Sequence, residues 1–238
     1  MDPIIFFLIL VAPHTQRNLI SLIDLIFAFL LLAVAGALIF YEYYYSTANI
    51  LLRKLKNAPG KKIHEFRDKQ LGKVVGKVAE HKAFLNAPLT NRRCVYYKVV
   101  VKRKKGGDEH KYWEHIFTDI EGVDFLVDQD GEKALVKQDF LESILEENVT
   151  YHSGLLNNPS PRLLKYLRSY GVTNTDFLGL NKTFQYHETI LQVGKKIAVM
   201  GHANWEDPDP TTDSHKRLVF KGSDASPVYV SDYLNTLT

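Results

Sequence analysis

The one cysteine of the chain, Cys94, is its strongest nucleophile, and a histidine brought beside it in space (His81, His115 or His187) would activate it as a thiolate. Cys94 also opens the apolar run Val95–Val101, where a cysteine packs as a small hydrophobe, and that placement favours a core role. His110 and His115, with Glu109 and Glu114, are metal-ligand types. Five residues apart on a strand, the two rings point to opposite faces, so surface positions are expected instead. Asp128, Asp130 and Gly131 look like the start of a calcium loop, but positions 139 and 140 are Asp and Phe where a bidentate glutamate is needed. A hairpin turn accounts for them, and neither a metal nor a cofactor is implied. Lys98, Lys102, Arg103, Lys104 and Lys105, interleaved with Tyr96, Tyr97 and Trp113, are a different matter. A basic sheet face with aromatics is what a binder of single-stranded nucleic acid uses. The same residues also suit a solvated strand end, or attraction to an anionic membrane. Glu188 has no acid–base partner that the sequence can name and suits a structural ion pair.

The elements that would position these residues fall into two parts. Residues 19–45 form the first, apolar from Leu19 to Phe40 apart from Ser21, Asp24 and a few small residues. As a helix this stretch reaches about 33 Å, enough for the hydrocarbon core of a bilayer. Tyr41, Tyr43, Tyr44 and Tyr45 then supply an aromatic belt where the helix would leave the membrane. The shorter apolar run Ile4–Ala12, within residues 1–18 and set between Pro3 and Pro13, is too short to cross as a helix and reads as an interfacial or partly inserted segment. Only Arg17 precedes the span, whereas Arg53, Lys54, Lys56, Lys61 and Lys62 follow it. The positive-inside rule therefore places the N-terminus outside and the C-terminal domain in the cytoplasm. Residues 46–62 read as a basic juxtamembrane helix and linker: Ile50, Leu51, Leu52 and Leu55 alternate with Arg53, Lys54 and Lys56, as in a helix lying on a bilayer or a stop-transfer signal.

From residue 63 to 238 the texture is that of short strands. Val74, Val75 and Val78 lie among glycines and lysines, and Cys94–Val101 is the clearest strand, with Tyr112–Phe117 returning after Gly106-Gly107. Phe125–Val127 and Ala134–Val136 flank a tight turn. Residues 139–151 fit helix and strand equally. Ser160, Pro161 and Gly171 bracket a short helix. Strands follow at residues 183–189, 195–200, 217–220 and 228–230, with a polar loop across 204–215. Many short strands with one or two helices predict a mainly β barrel or sandwich after the membrane helix. With one cysteine, no disulfide framework and no multi-cysteine zinc site can form.

Several of these motifs, taken in order, resemble the GIDE, or beside-a-membrane (BAM), domain family. They are Gly72-Lys-Val-Val-Gly76-Lys-Val, Ala87-Pro88-Leu89, Arg93-Cys94-Val95-Tyr96-Tyr97, Phe125-Leu-Val-Asp128 with Gly131, and Ala134-Leu-Val. His187-Glu188-Thr-Ile with Gly194, then Met200-Gly201 and Tyr229-Val-Ser-Asp232, complete the series, which spans roughly residues 70–232. The family includes mitochondrial E3 ubiquitin ligases in which this domain lies between two membrane helices and precedes a RING. Here no second apolar span follows Ser231, and one cysteine cannot build a RING's two zinc sites. The resemblance therefore implies a RING-less, membrane-anchored interaction, scaffold or sensing module rather than a ubiquitin transferase. The expected partners are the bilayer and an unidentified protein. The alternatives are an enzyme dependent on Cys94 and a membrane-tethered nucleic-acid-binding β domain.

Overall fold

The structure, a computed structural model, describes residues 3–106, 110–146, 149–154, 159–175, 181–207 and 216–238, with side chains of the first helix described from residue 24 onward. Gly107, Glu109, Asn148 and residues 208–215 of the expected polar loop lie outside these. Two compact units are present, residues 1–50 and 51–238.

The first unit is a single helix, α1 (Pro3–Tyr45). A proline lacks the amide hydrogen and crowds the preceding turn, yet here the helix runs on through Pro13 and joins Ile4–Ala12 to the span. Within it, Asp24–Tyr45 is long and apolar enough to cross a membrane, with a mean hydropathy of 2.4. Leu25, Phe29, Leu32 and Ile39 are each more than two-thirds exposed, and no protein surface covers them. A contiguous apolar surface of that size is a membrane or interface feature rather than that of a free-standing soluble helix. Asn49 ends α1 by donating its side-chain amide to the Tyr43 carbonyl at 2.7 Å.

Helix α2 (Thr47–Asn57) begins after Ser46, whose hydroxyl accepts from the Asn49 amide at 3.3 Å. Its apolar stripe is used differently from the expectation. Leu51 and Leu55 are buried, and Leu55 packs with Ala198, Met200, Tyr229 and Leu237 on the outside of the β domain. The domain itself, not lipid, takes that face, because a flat apolar patch on the strands needs cover. Lys54 and Lys56 remain exposed, and Arg53 is half-buried.

The β domain is built from two sheets. In the first, β1 (Gln70–Glu80), β5 (Phe125–Gln129), β6 (Glu132–Val136), β11 (Arg217–Phe220) and β10 (Lys196–Glu206) form a closed circuit, since β1 pairs with both β5 and β10. The β11–β6 pairing is parallel and the other pairings of the circuit are antiparallel. Closure leaves this small barrel without an unpaired edge in the circuit. β12 (Val228–Ser231) and β7 (Leu141–Ile144) extend it beside β10. Inside lie Val74, Val78, Phe125, Val127, Val136, Val199, Phe220 and Val230, with Ile63 and Phe66 inserted from the segment before β1. Residues 204–206, expected as loop, continue β10. Trp205 holds them there by donating its indole N–H to the Phe66 carbonyl at 2.9 Å.

The second sheet contains β2 (Leu85–Asn86), β3 (Arg93–Lys105), β4 (Tyr112–Gly122), β8 (Val149–Ser153) and β9 (Phe184–Gln192). In the ambiguous stretch 139–151, residues 141–144 (β7) and 149–151 (β8) are extended. The expected helix is α3 (Pro161–Ser169), capped by the Ser160 hydroxyl, which accepts from Leu163, and ended by Gly171 at φ +68°. It lays Leu163, Tyr166 and Leu167 against Tyr97, Val99, Val101, Phe184 and Tyr186 on one face of this sheet. The architecture is thus mainly β, a barrel with a second sheet, plus the long apolar helix.

Two positions show how tightly the barrel is drawn. The β5–β6 hairpin turns on Asp130 and Gly131, both at positive φ (55° and 96°), the two-residue geometry that matches strand twist. Opposite it, a Cβ on Gly76 would lie 2.4 Å from the Asp128 carbonyl oxygen. Gly76→Ala is expected to push β1 from β5 and cost about 1–3 kcal/mol. Thermal unfolding of the full chain in detergent would register this as a drop of several degrees, whereas an unchanged midpoint would show that the strands give way freely.

Candidate functional site

Alternation along the second sheet decides which of the candidate residues act together. Paired residues of neighbouring strands share a face, and successive residues change face. Tyr97 pairs with Ile190, Val99 with Glu188, Val101 with Tyr186 and Arg103 with Phe184, and all of these belong to the face covered by α3. Lys98, Val100 and Lys102 pair with Thr189, His187 and Gln185 and point the other way. On β4 the outward set is Ile120, Thr118, His115 and Trp113, opposite Lys98, Val100, Lys102 and Lys104. On β8 it is Thr150 and His152, opposite His187 and Gln185.

The run of basic residues therefore splits. Lys98, Lys102 and Lys104 stand on the outer face, and among the described residues none of them has an ion-pair partner. Arg103 and Lys105 fall on the inner face, where both meet Glu114, each at 2.7 Å. Two hydrogen bonds from these cations hold the Glu114 carboxyl below its ordinary range. Tyr96 and Tyr97 are buried and leave the outer face altogether. Their place is taken by Trp113, 39% exposed, and by the rings of His115, His152 and His187. Trp113 and His152 lie with ring centroids 6.3 Å apart, and the His187 Nδ1 is 3.2 Å from the Thr150 hydroxyl. Sequence reasoning found Trp113 and dismissed His115 as an isolated surface residue. His152 had no signal, and His187, read as a motif residue and a candidate base for Cys94, is placed on this face only by the strand register.

The carboxylates of these strands are sorted just as cleanly. Glu114, Asp119, Glu121 and Glu188 all occupy the inner face. Asp119 accepts from the Tyr166 hydroxyl at 2.6 Å and Glu121 from the Tyr97 hydroxyl at 2.7 Å. Burial, together with those carboxylate neighbours, pushes both phenols well above the usual tyrosine range. Glu188, fully buried, accepts from the Leu89 amide at 2.6 Å and from the Thr90 amide at 3.2 Å. It is a structural clamp on the Ala87-Pro88-Leu89 turn, made with backbone N–H groups rather than the ion pair expected. Arg162 of α3 grips the same turn through the Ala87 carbonyl and the Asn91 side chain.

The remaining motif positions are structural as well. Pro88 sits in the clamped turn, Gly194 turns β9 into β10 at φ +86°, and Gly201 faces Val228 with room for little more than a hydrogen. Tyr96 is a member of the barrel core, and the Asp128 carboxylate accepts from the Gly131 amide at 2.9 Å. No group of three or more His, Cys, Asp or Glu side chains arranged for a metal occurs among the described residues.

Cys94 is fully buried beside Ala87, Tyr97 and Val99. Burial and the nearby Glu188 carboxylate push its thiol up to about 11. His187, which sequence reasoning offered as an activating base, is on the opposite sheet face and pairs with Val100, six residues along β3. His115 pairs with Lys102, further still.

Comparison with known proteins adds little to this geometry. No family model and no curated protein matches the chain. Among solved structures, a small single-stranded DNA-binding protein from Streptomyces coelicolor aligns over 73% of this chain and 100% of its own, at 13% identity and a TM-score of 0.24. A TM-score that low does not establish a shared fold.

At pH 8 only roughly one Cys94 thiol in a thousand is ionised, and the thiolate is the reactive species. Alkylation of the folded protein by iodoacetamide is expected to be negligible at pH 8 and to become rapid only on unfolding. Stoichiometric labelling at pH 8 within minutes, read by mass spectrometry, would contradict the buried, neutral state.

Proposed function

We propose that this chain is a membrane-anchored interaction or scaffold module without chemistry of its own, similar to RING-less members of the GIDE/BAM family, with its β domain in the cytoplasm. The observation that carries this reading is the unequal treatment of the two faces of the second sheet. One face is covered by α3 and sealed by a dense apolar and tyrosine cluster. The other, beyond Tyr96 and Leu191 where both enter the barrel core, has no buried residue among its described positions on β4, β3, β9 and β8. A broad sheet face that the chain itself leaves open is a docking surface for a macromolecule rather than a pocket for a small substrate. The long apolar helix supports the anchor, and the lysines and arginines that follow it support the cytoplasmic orientation through the positive-inside rule.

A catalytic reading centred on Cys94 finds no support in the thiol's surroundings, because the groups that would activate it face elsewhere.

The full-length protein is expected to stay in the membrane pellet after alkaline carbonate washing. It should also cross-link a partner through a photoreactive side chain placed at Ile120, which is exposed on the open face. Thr118→Glu is expected to remove the cross-link with membrane retention unchanged, and Cys94→Ala to preserve both. Release by carbonate would remove the anchored reading. Equal cross-linking from Ile120 in the wild type and the Thr118 variant would remove the docking face.

A further inference from the structure

We infer that the open face of the second sheet binds single-stranded nucleic acid. The inference rests on the docking reading above and names its partner. Three observations meet on this face. First, among its described residues it carries cations and no anion: Lys98, Lys102 and Lys104 point outward, whereas Glu114, Asp119, Glu121 and Glu188 all point inward. A solvated strand surface ordinarily mixes both signs, so this separation gives the face a uniform attraction for a polyanion. Second, the three lysines lie on one face of one continuous strand, with Val100 between Lys98 and Lys102. Lys102 and Lys104 are spaced by roughly 7 Å and Lys98 and Lys102 by roughly 13 Å, which places the ammonium groups along one extended backbone. Third, rings flank that row on both sides. Trp113 and His115 lie on β4, with His187 on β9 and His152 on β8 beyond it, and Trp113 and His152 are already in ring contact.

The rings choose between polyanions. An acidic polypeptide or a phospholipid headgroup is satisfied by the ammonium groups and gains little from flat aromatic surfaces. Unpaired bases stack on such surfaces at about 1–3 kcal/mol each, while cations follow the phosphates. A duplex hides its base faces and presents a curved pair of backbones, so it gains the charge term alone. Thr118, Thr150, Thr189 and Gln185 fill the space between with hydroxyl and amide groups that carry no charge. They can bond to phosphate or sugar and impose little sequence preference.

The test uses the full chain in nanodiscs of zwitterionic lipid, with fluorescent oligothymidine and oligouridine of about 15 nucleotides, within the site sizes of such folds. Binding is expected to be tighter for single strand than for duplex and to weaken steeply with salt. Lys98→Ala, Lys102→Ala and Lys104→Ala together should lower the slope of log affinity against log salt by about 2, from three lost phosphate contacts. Trp113→Ala should weaken binding about 5- to 150-fold, with Trp113→Phe restoring most of it. Lys54→Ala with Lys56→Ala on α2 should leave it unchanged. His152→Ala provides a second ring variant should the tryptophan variant be unstable. Equal affinity for duplex, indifference to both ring substitutions, or full displacement by polyglutamate or by phosphatidylserine vesicles at matched charge would each overturn the inference. In the polyglutamate case a protein partner would still dock on this face, and the proposed function would stand. If instead the partner cross-link from Ile120 and oligonucleotide binding were both absent, both readings would fall.

Discussion

Strand β3 is shared between two cores, and the rest of the domain depends on how its side chains are divided. Near its start the pairing with β9 slips between Cys94 and Tyr96. Such an irregularity lets neighbouring residues escape strict alternation. Val95 and Tyr96 consequently enter the barrel core, while Cys94 and Tyr97 join the core beneath α3. β9 makes the matching division, with Leu191 in the barrel and Ile190, Tyr186 and Phe184 under the helix. One pair of strands thus fastens the second sheet to the barrel through main-chain hydrogen bonds and buried side chains.

Beyond the slip, alternation resumes and becomes a sorting device. Every second residue from Tyr97 to Arg103 turns inward and every second residue from Lys98 to Lys104 turns outward. Of the inner carboxylates only Glu188 is fully buried, where a charge is costly without donors, and the others also find donors. The donors are present: tyrosine hydroxyls for Asp119 and Glu121, cations for Glu114, backbone amides for Glu188. Because these acids are satisfied inside, the outer lysines have no ion-pair partner among the described residues. The potential of the outer face is therefore produced by the packing of the inner one.

Local signals carried much of this fold. The apolar span, the turn chemistry at Asp130 and Gly131, the Ser160–Pro161–Gly171 bracketing of α3 and most strands from 74 to 230 were legible because each depends on residues close together in sequence. Pro13 does not interrupt α1, although proline's usual effect is to stop a helix, and the apolar stripe of α2 does not by itself say what it will touch. The candidate face was only half legible. Lys98, Lys102 and Lys104 could be seen as a basic run, but separating them from Arg103 and Lys105 requires the register between β3 and its neighbours. His152 and His187 reach the same face from strands 50 to 90 positions away. Nothing in the composition of β8 or β9 signals that meeting.

A face of three lysines and a few rings is modest by the standards of tight nucleic-acid binders, and the anchor gives that modesty a physical sense. A module confined to a membrane meets a ligand held at the same surface at a much higher effective concentration than two free molecules in solution would reach, so weak contacts suffice for occupancy. Salt-sensitive contacts of this kind also form and break quickly, since they are made by flexible ammonium groups rather than by a closed pocket. The fold is organised accordingly. The clamped turn and the shared strands β3 and β9 fix the second sheet to the barrel, and the groups on its outer face are long or planar side chains. On the proposed reading, an affinity that depends on co-localisation leaves selectivity to the membrane helix, and the sheet reads charge and stacking.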